Sequence, residues 1–192
     1  MKWHVIAFTA LLATAPVWAD KETLIDYDDK WNLFSKFELG LPPVGDEDGT
    51  VGAITAGGLL NSRFGIGLTA QMLVTSVDLN SPIYDDPETS DFMAGGAYLE
   101  YVFFPDSMVH VSLDLMVGAA QLDLTRTVGG SSASETVWVV EPGLNLMVNI
   151  TETFMFGLGA AYRMTDDITL VGLEEDALSG FVGSAFLRFT QF

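Results

Sequence analysis

From Trp31 onward the chain alternates between apolar and small or polar residues at every second position, in eight segments of about 10 to 14 residues. The segments are Trp31 to Leu41, Thr50 to Leu60, Gly65 to Val77, Phe92 to Phe104, Met108 to Gln121, Val137 to Ile150, Phe154 to Thr165 and Gly180 to Phe192. Period two belongs to strands with unlike faces, and helices are excluded as the main element. In the fifth segment Val109, Val111, Leu113, Leu115 and Val117 alternate with His110, Ser112, Asp114, Met116 and Gly118. The sixth sets Trp138, Val140, Leu144, Leu146, Val148 and Ile150 against Glu141, Gly143, Asn145 and Asn149. The seventh sets Phe154, Phe156, Leu158, Ala160 and Tyr162 against Gly157, Gly159, Ala161 and Arg163. The second segment is rich in Gly and Ala on both faces and gives no such contrast.

Alternation fits a water-soluble barrel with its apolar face inside as well as a membrane barrel with that face outside. The polar face decides between them. In water it would be rich in Lys, Glu and Arg, yet here it is mostly Gly, Ala, Ser, Thr and Asn, residues small enough for a crowded lumen. Charge is expelled to the connections: Asp46, Glu47 and Asp48; Asp85, Asp86, Glu88 and Asp91; Asp166 and Asp167; Glu174, Glu175 and Asp176. The fold class expected is therefore all-β, an eight-stranded antiparallel up-and-down transmembrane β-barrel over residues 31–192.

Composition narrows the partners. Twenty-six acidic against 8 basic residues, a formal charge of −18, argues against nucleic acid, which needs clustered Lys and Arg. An aromatic content of 11% and a hydrophobic content of 49% argue against an acidic disordered chain. With no cysteine, disulfides, thiolate metal sites and catalytic Cys are excluded. The first 19 residues, MKWHVIAFTALLATAPVWA, carry a Lys, an apolar run and small residues around Trp18, and read as a signal peptide. Residues 20–30 are expected to be a periplasmic leader.

Short links at Asn61 to Phe64, Pro105 to Ser107 and Thr151 to Thr153 alternate with longer acidic ones at Pro42 to Gly49, Leu79 to Asp91, Arg126 to Thr136 and Asp166 to Ser179. This asymmetry places the long loops outside the cell. Trp31, Phe103, Phe104, Phe154, Phe156 and Phe189 are expected in a periplasmic aromatic girdle with Phe192, and Phe92, Trp138, Tyr162 and Phe181 in an external one.

With its signal peptide, eight strands and a last strand SGFVGSAFLRFTQF ending in Phe192, the chain resembles the small outer-membrane barrels of Gram-negative bacteria, the OmpA membrane-domain and OmpX type. The resemblance implies outer-membrane lipid and lipopolysaccharide as surroundings, and Phe192 as the terminal aromatic read by the barrel-insertion machinery. Ala185, Leu187 and Phe189 run out of phase with Phe192, so a bulge near Thr190 or Gln191 is expected. No peptidoglycan-binding domain is expected to follow the barrel.

Charges on the polar faces are Lys36, Glu38, Glu100, Asp114, Glu141, Arg163 and Arg188. Three bases against four acids predict a paired network that plugs the lumen, because an unpaired charge there is costly. If Thr151 to Thr153 is a three-residue turn, Ile150 opposes Phe154, and counting back along both strands places Glu141 opposite Arg163. Pro142 lacks an amide hydrogen and predicts a bulge or a non-bonded position.

Chemistry of other kinds finds little support. His110 is expected on the lumen side near the periplasmic turn, the wrong height for the His and Ser sites that lipid A deacylases and palmitoyltransferases of this barrel size place near the outer rim. GLGAAY at Gly157 to Tyr162 lacks the helix of a nucleotide site. The acidic loops do not match an EF-hand, and solvated loops are favoured over calcium binding. No cofactor, metal or catalytic residue is expected. The expected role is structural, or surface interaction with an external partner through the acidic loops; the alternative is a narrow channel or binding cavity for ions or small apolar molecules.

Overall fold

A computed structural model of the chain describes residues 31–41, 43–44, 47–48, 50–74, 77–79, 88–126, 132–166 and 178–191. The proposed signal peptide, the leader, Phe192 and most of the acidic loop residues lie outside these. The barrel strands are β1 (Trp31–Leu41), β2 (Val51–Leu60), β3 (Phe64–Leu73), β4 (Glu88–Phe103), β5 (Val109–Arg126), β6 (Ser132–Asn149), β7 (Phe154–Thr165) and β8 (Gly180–Gln191). Each pairs antiparallel with its neighbour in sequence, β8 returns to β1, and the sheet closes. Two small additions extend the long-loop end: Pro43–Val44 pairs with Glu47–Asp48, and Val77–Leu79 pairs with the start of β4. This is the eight-stranded up-and-down barrel.

The short turns lie at one end. Asn61 and Ser62 take left-handed φ values of 51° and 55°, which lets β2 reverse into β3 within three residues. At the β6–β7 turn the Thr151 hydroxyl accepts the amide of Phe154 at 3.0 Å, and Ile150 and Phe154 close the hairpin.

Facing follows the alternation. Leu39, Ile54, Ile66, Leu68, Leu113, Leu144 and Leu158 all stand on the outer wall, with Leu68 72% exposed. A continuous apolar wall of this kind has no stable home in water and suits acyl chains. Trp31, Trp138, Tyr162, Phe181 and Phe189 are exposed on the same wall and Phe103 and Phe154 partly so. Tyr162 and Phe181 meet edge to face at 5.0 Å between ring centres, as do Tyr101 and Phe103 at 4.9 Å.

Three expectations need correction. Phe92 does not join the external girdle, for it points inward and is 3% exposed. Strands β4, β5 and β6 extend further toward the long loops than the alternation suggests, and β3 stops at Leu73 rather than Val77. In these extensions the faces swap: Phe92, Leu122 and Val137 are buried inside, while Asp91, Gln121 and Thr136 are exposed outside. A strand that leaves lipid for water must turn its apolar side inward, so a search for outward apolar residues ends too early. Third, β8 pairs with β1 without interruption as far as Leu33 opposite Gln191, so there is no bulge at Thr190 or Gln191. At Pro142 the structure takes the second of the two expected outcomes, a non-bonded position without a bulge: β6 keeps its register with β5 through Leu115 opposite Pro142, and its ladder with β7 is interrupted between Ala161 and Met164.

Two glycine pairs set the curvature. Gly57 lies opposite Gly67, and Gly96 opposite Gly118, all facing the lumen. A Cβ on Gly118 would collide with the Gly95 carbonyl oxygen, and one on Gly57 with that of Ile66. Only glycine admits such close backbone approach, which bends these hairpins enough to close a narrow barrel.

Candidate functional site

The interior is layered. Toward the long loops lies an apolar cluster that includes Val51, Phe92, Met116, Leu122, Val139 and Leu178. Toward the short turns lies a second, with Phe34, Leu59, Tyr98, Val102, Met147, Met155 and Phe186. The expectation of a lumen lined mainly by small residues therefore needs correction, since large side chains reach inward from most strands and the glycines make room for them. A Cβ on Gly157, for example, would strike the Phe186 ring.

The seven charged residues singled out from the sequence all point inward between and around these clusters. Lys36 on β1 lies directly opposite Arg188 on β8, and Glu100 on β4 directly opposite Asp114 on β5. Each pair taken alone is two like charges across a ladder, which is destabilising. Across the lumen they satisfy one another. Arg188 Nη1 donates to both carboxylate oxygens of Glu100, at 2.8 and 2.7 Å, and Lys36 Nζ lies 3.6 Å from Asp114 and 2.8 Å from Glu38. The third cation is served within its own hairpin: Arg163 Nε donates to Glu141 at 2.7 Å.

Neutral groups complete the belt. Gln71 accepts from Arg163 Nη2 at 2.7 Å, and Asp114 accepts from the Tyr98 hydroxyl at 3.0 Å and from Asn145 at 3.1 Å. Thr55 and Thr69 join at 2.9 Å between β2 and β3. Aromatic faces carry the cations: Phe34 lies 4.5 Å from the Arg188 guanidinium, and Tyr98 and Phe186 each 5.0 Å from Lys36. A polar cavity of about 30 Å³ lies in this belt, lined by Lys36, Gln71, Asp114, Glu141 and Asn145 among others.

His110 is buried beside the short turns, with Nδ1 3.0 Å from the Phe104 carbonyl and Nε2 2.9 Å from Asn149 Oδ1. Ser112, two residues along, accepts instead from Asn145. His110 thus activates no hydroxyl in this arrangement. Among the described residues no cluster of three or more potential metal ligands occurs.

Sequence reasoning missed Gln71, Tyr98 and Asn145 as members of the belt. Their phase was legible, but uncharged polar residues on an inner face carry no mark that separates a network member from a filler.

Closed antiparallel topology, an apolar outer wall and ionic groups directed inward define a small membrane β-barrel with the fold of the OmpA and OmpX type. Comparison with solved structures agrees with this fold. Neisserial surface protein A (NspA) superposes with a TM-score of 0.58 at 16% identity, over 85% of this chain and 97% of that one. The N-terminal β-barrel domain of OprF from Pseudomonas aeruginosa gives 0.54 at 13% identity, over 83% and 96%. No family model matches the sequence, and no curated protein matches it.

Proposed function

We propose that this chain is a non-enzymatic integral protein of the Gram-negative outer membrane, exported by residues 1–19 and inserted with Phe192 as its terminal signal. Its lumen is closed by its own side chains, and its acidic long loops face the exterior, where they serve surface interaction or structural support. Outer-membrane lipid and lipopolysaccharide surround its apolar wall.

The observation that carries this reading is the cross-lumen pairing of Lys36 and Arg188 with Asp114 and Glu100 between two apolar clusters. An ion crossing the barrel would have to part these charges, and separating one buried pair costs about 3–5 kcal/mol. It would then have to pass the Phe34 and Phe186 layer without its water.

Reconstitution in planar bilayers tests the reading directly. The wild-type barrel is expected to be electrically silent. Discrete conductance steps in the wild type would refute closure and favour a narrow channel, which the polar cavity beside Lys36 would then serve.

A further inference from the structure

Trp138, Tyr162 and Phe181 stand on the outer wall of β6 to β8 toward the long loops, but near that end of β3 and β4 the wall carries sulfur instead. Met72 on β3 and Met93 on β4 lie directly opposite each other, point outward and are 51% and 53% exposed, whereas Met116, Met147 and Met155 are buried in the lumen. Outward residues in such a pair stand about 5 Å apart at Cβ, so the two thioethers are neighbours. The same row continues across the ladder to Gln121 on β5 and Thr136 on β6. Two residues from Met93 toward the long loops the outer position of β4 is Asp91, so Met93 is where the apolar wall of that strand ends.

A thioether is apolar and soft, and its sulfur gives a lone pair to an electrophilic oxygen. At the edge of the lipid it meets both oxidants dissolved in the apolar phase and water that can move a proton. Gln121 adds a donor. Its Nε2 lies 3.1 and 3.2 Å from the two oxygens of Asp123. An amide nitrogen carries two hydrogens, and one shared between these oxygens leaves the other for a new acceptor on Met93, directly opposite. Met164, also outward near the long loops, lies opposite Val140 and has no such donor across the ladder.

We propose that Met72, Met93 and Gln121 form a modification site at which each sulfur takes one oxygen from a hydroperoxide. The sulfur attacks the terminal peroxide oxygen, the O–O bond breaks, and the hydrogen of that oxygen passes through boundary water to the departing oxygen, which leaves as an alcohol or, from hydrogen peroxide, as water. Each thioether is oxidised by two electrons to a sulfoxide, and each hydroperoxide is reduced by two. Gln121 is a positioning residue, its amide hydrogen holding first the departing oxygen and then the new sulfoxide oxygen. The product is polar, so the water boundary on β3 and β4 shifts past Met93 toward the middle of the membrane. The site lies on the outer wall and is independent of whether the barrel conducts.

The folded barrel in phospholipid vesicles, exposed either to a phospholipid hydroperoxide in the bilayer or to hydrogen peroxide in the water and then mapped by peptide mass spectrometry, tests the proposal. Met93 is expected to gain oxygen about tenfold faster than Met164, the effect of one hydrogen bond made in the transition state, with Met72 next and the three lumen methionines unmodified. A faster reaction in the bilayer arm assigns the lipid hydroperoxide as the oxidant, and a faster one in the water arm assigns hydrogen peroxide; either sustains the site. Gln121→Leu should bring Met93 down to the rate of Met164, which serves as the reference within the same sample. If that variant fails to fold, as judged by heat-modifiable gel migration, Met72→Leu with Met93→Leu, which conserves volume on a lipid-facing wall, should fold and lose most of the alcohol or water product. Met93 reacting no faster than Met164 in both arms, a ratio unchanged by Gln121→Leu, or undiminished product from the double variant overturns the site and leaves ordinary surface oxidation.

Discussion

Replacing Glu100 with Gln removes one charge from the interior and changes almost nothing in shape. Arg188 and Glu100 are 1% and 3% exposed, and both carboxylate oxygens accept from Nη1 within 2.8 Å. An exposed pair of this kind contributes about 0.2–1 kcal/mol, whereas removing one partner of a buried pair costs about 3–5 kcal/mol. The ladder sharpens the effect. Arg188 stands opposite Lys36, so without Glu100 the two cations would face Glu38 and Asp114 alone from this region of the lumen. Gln retains one acceptor, which sets the expected loss near the lower bound, about 3 kcal/mol. Reversible urea unfolding in phospholipid vesicles, followed by the fluorescence of Trp31 and Trp138 on the outer wall, measures it. The double variant Glu100→Leu with Arg188→Met removes both charges and should recover to within about 1 kcal/mol of the wild type. A cost below about 1 kcal/mol for Glu100→Gln, or a double variant as unstable as the sum of its parts, refutes the assignment of these residues to a desolvated ion pair.

Three further outcomes follow from the same geometry. Leu68→Arg on the outer wall should destabilise the vesicle-inserted barrel by about 2–4 kcal/mol in the same urea assay, a cost that a water-exposed surface would not show. Gly118→Ala drives a methyl into the Gly95 carbonyl and should cost about 1–3 kcal/mol, while Gly183→Ala, with nothing within 4 Å of its new methyl, should be near neutral. Asp91 lies opposite Asp123 in the extension of β4 and β5, so Asp91→Asn should stabilise by about 0.2–1 kcal/mol, with the gain shrinking as salt is added during thermal unfolding.

The barrel was legible because most strands cross lipid with an apolar face, the Gly- and Ala-rich β2 excepted, and period two survives any error in strand ends. The Glu141 and Arg163 contact could be located by counting, because a short turn fixes hairpin register and the two residues lie one hairpin apart. Arg188 and Glu100 could not, since they come from β8 and β4 and meet only when the sheet closes. The alternation likewise could not show which side faces lipid once the outer surface becomes polar. Phe92 therefore looked like a girdle residue, although its neighbour Asp91 is the one exposed there. The phase of β8 raised a bulge that the structure does not contain. Thr190 simply faces inward beside Arg188, and the polar residue at that position belongs to the interior.

The swap of faces locates the water boundary without reference to any lipid. On β6, Trp138 is 66% exposed while Val137 and Val139 on either side are buried, and two residues earlier the outer position is Thr136. On β5 the matching change falls between Val117 and Gln121, and Ala119 pairs with Trp138 across that ladder. From Gln121 to Arg126 the strand therefore runs in water, and at about 3.4 Å per residue and a tilt near 45° it rises roughly 12 Å beyond the boundary. Its inward Leu122 joins Phe92, Val137 and Leu178 in a cluster of the kind a soluble barrel would have. The long loops are thus carried on a folded extension with its own core.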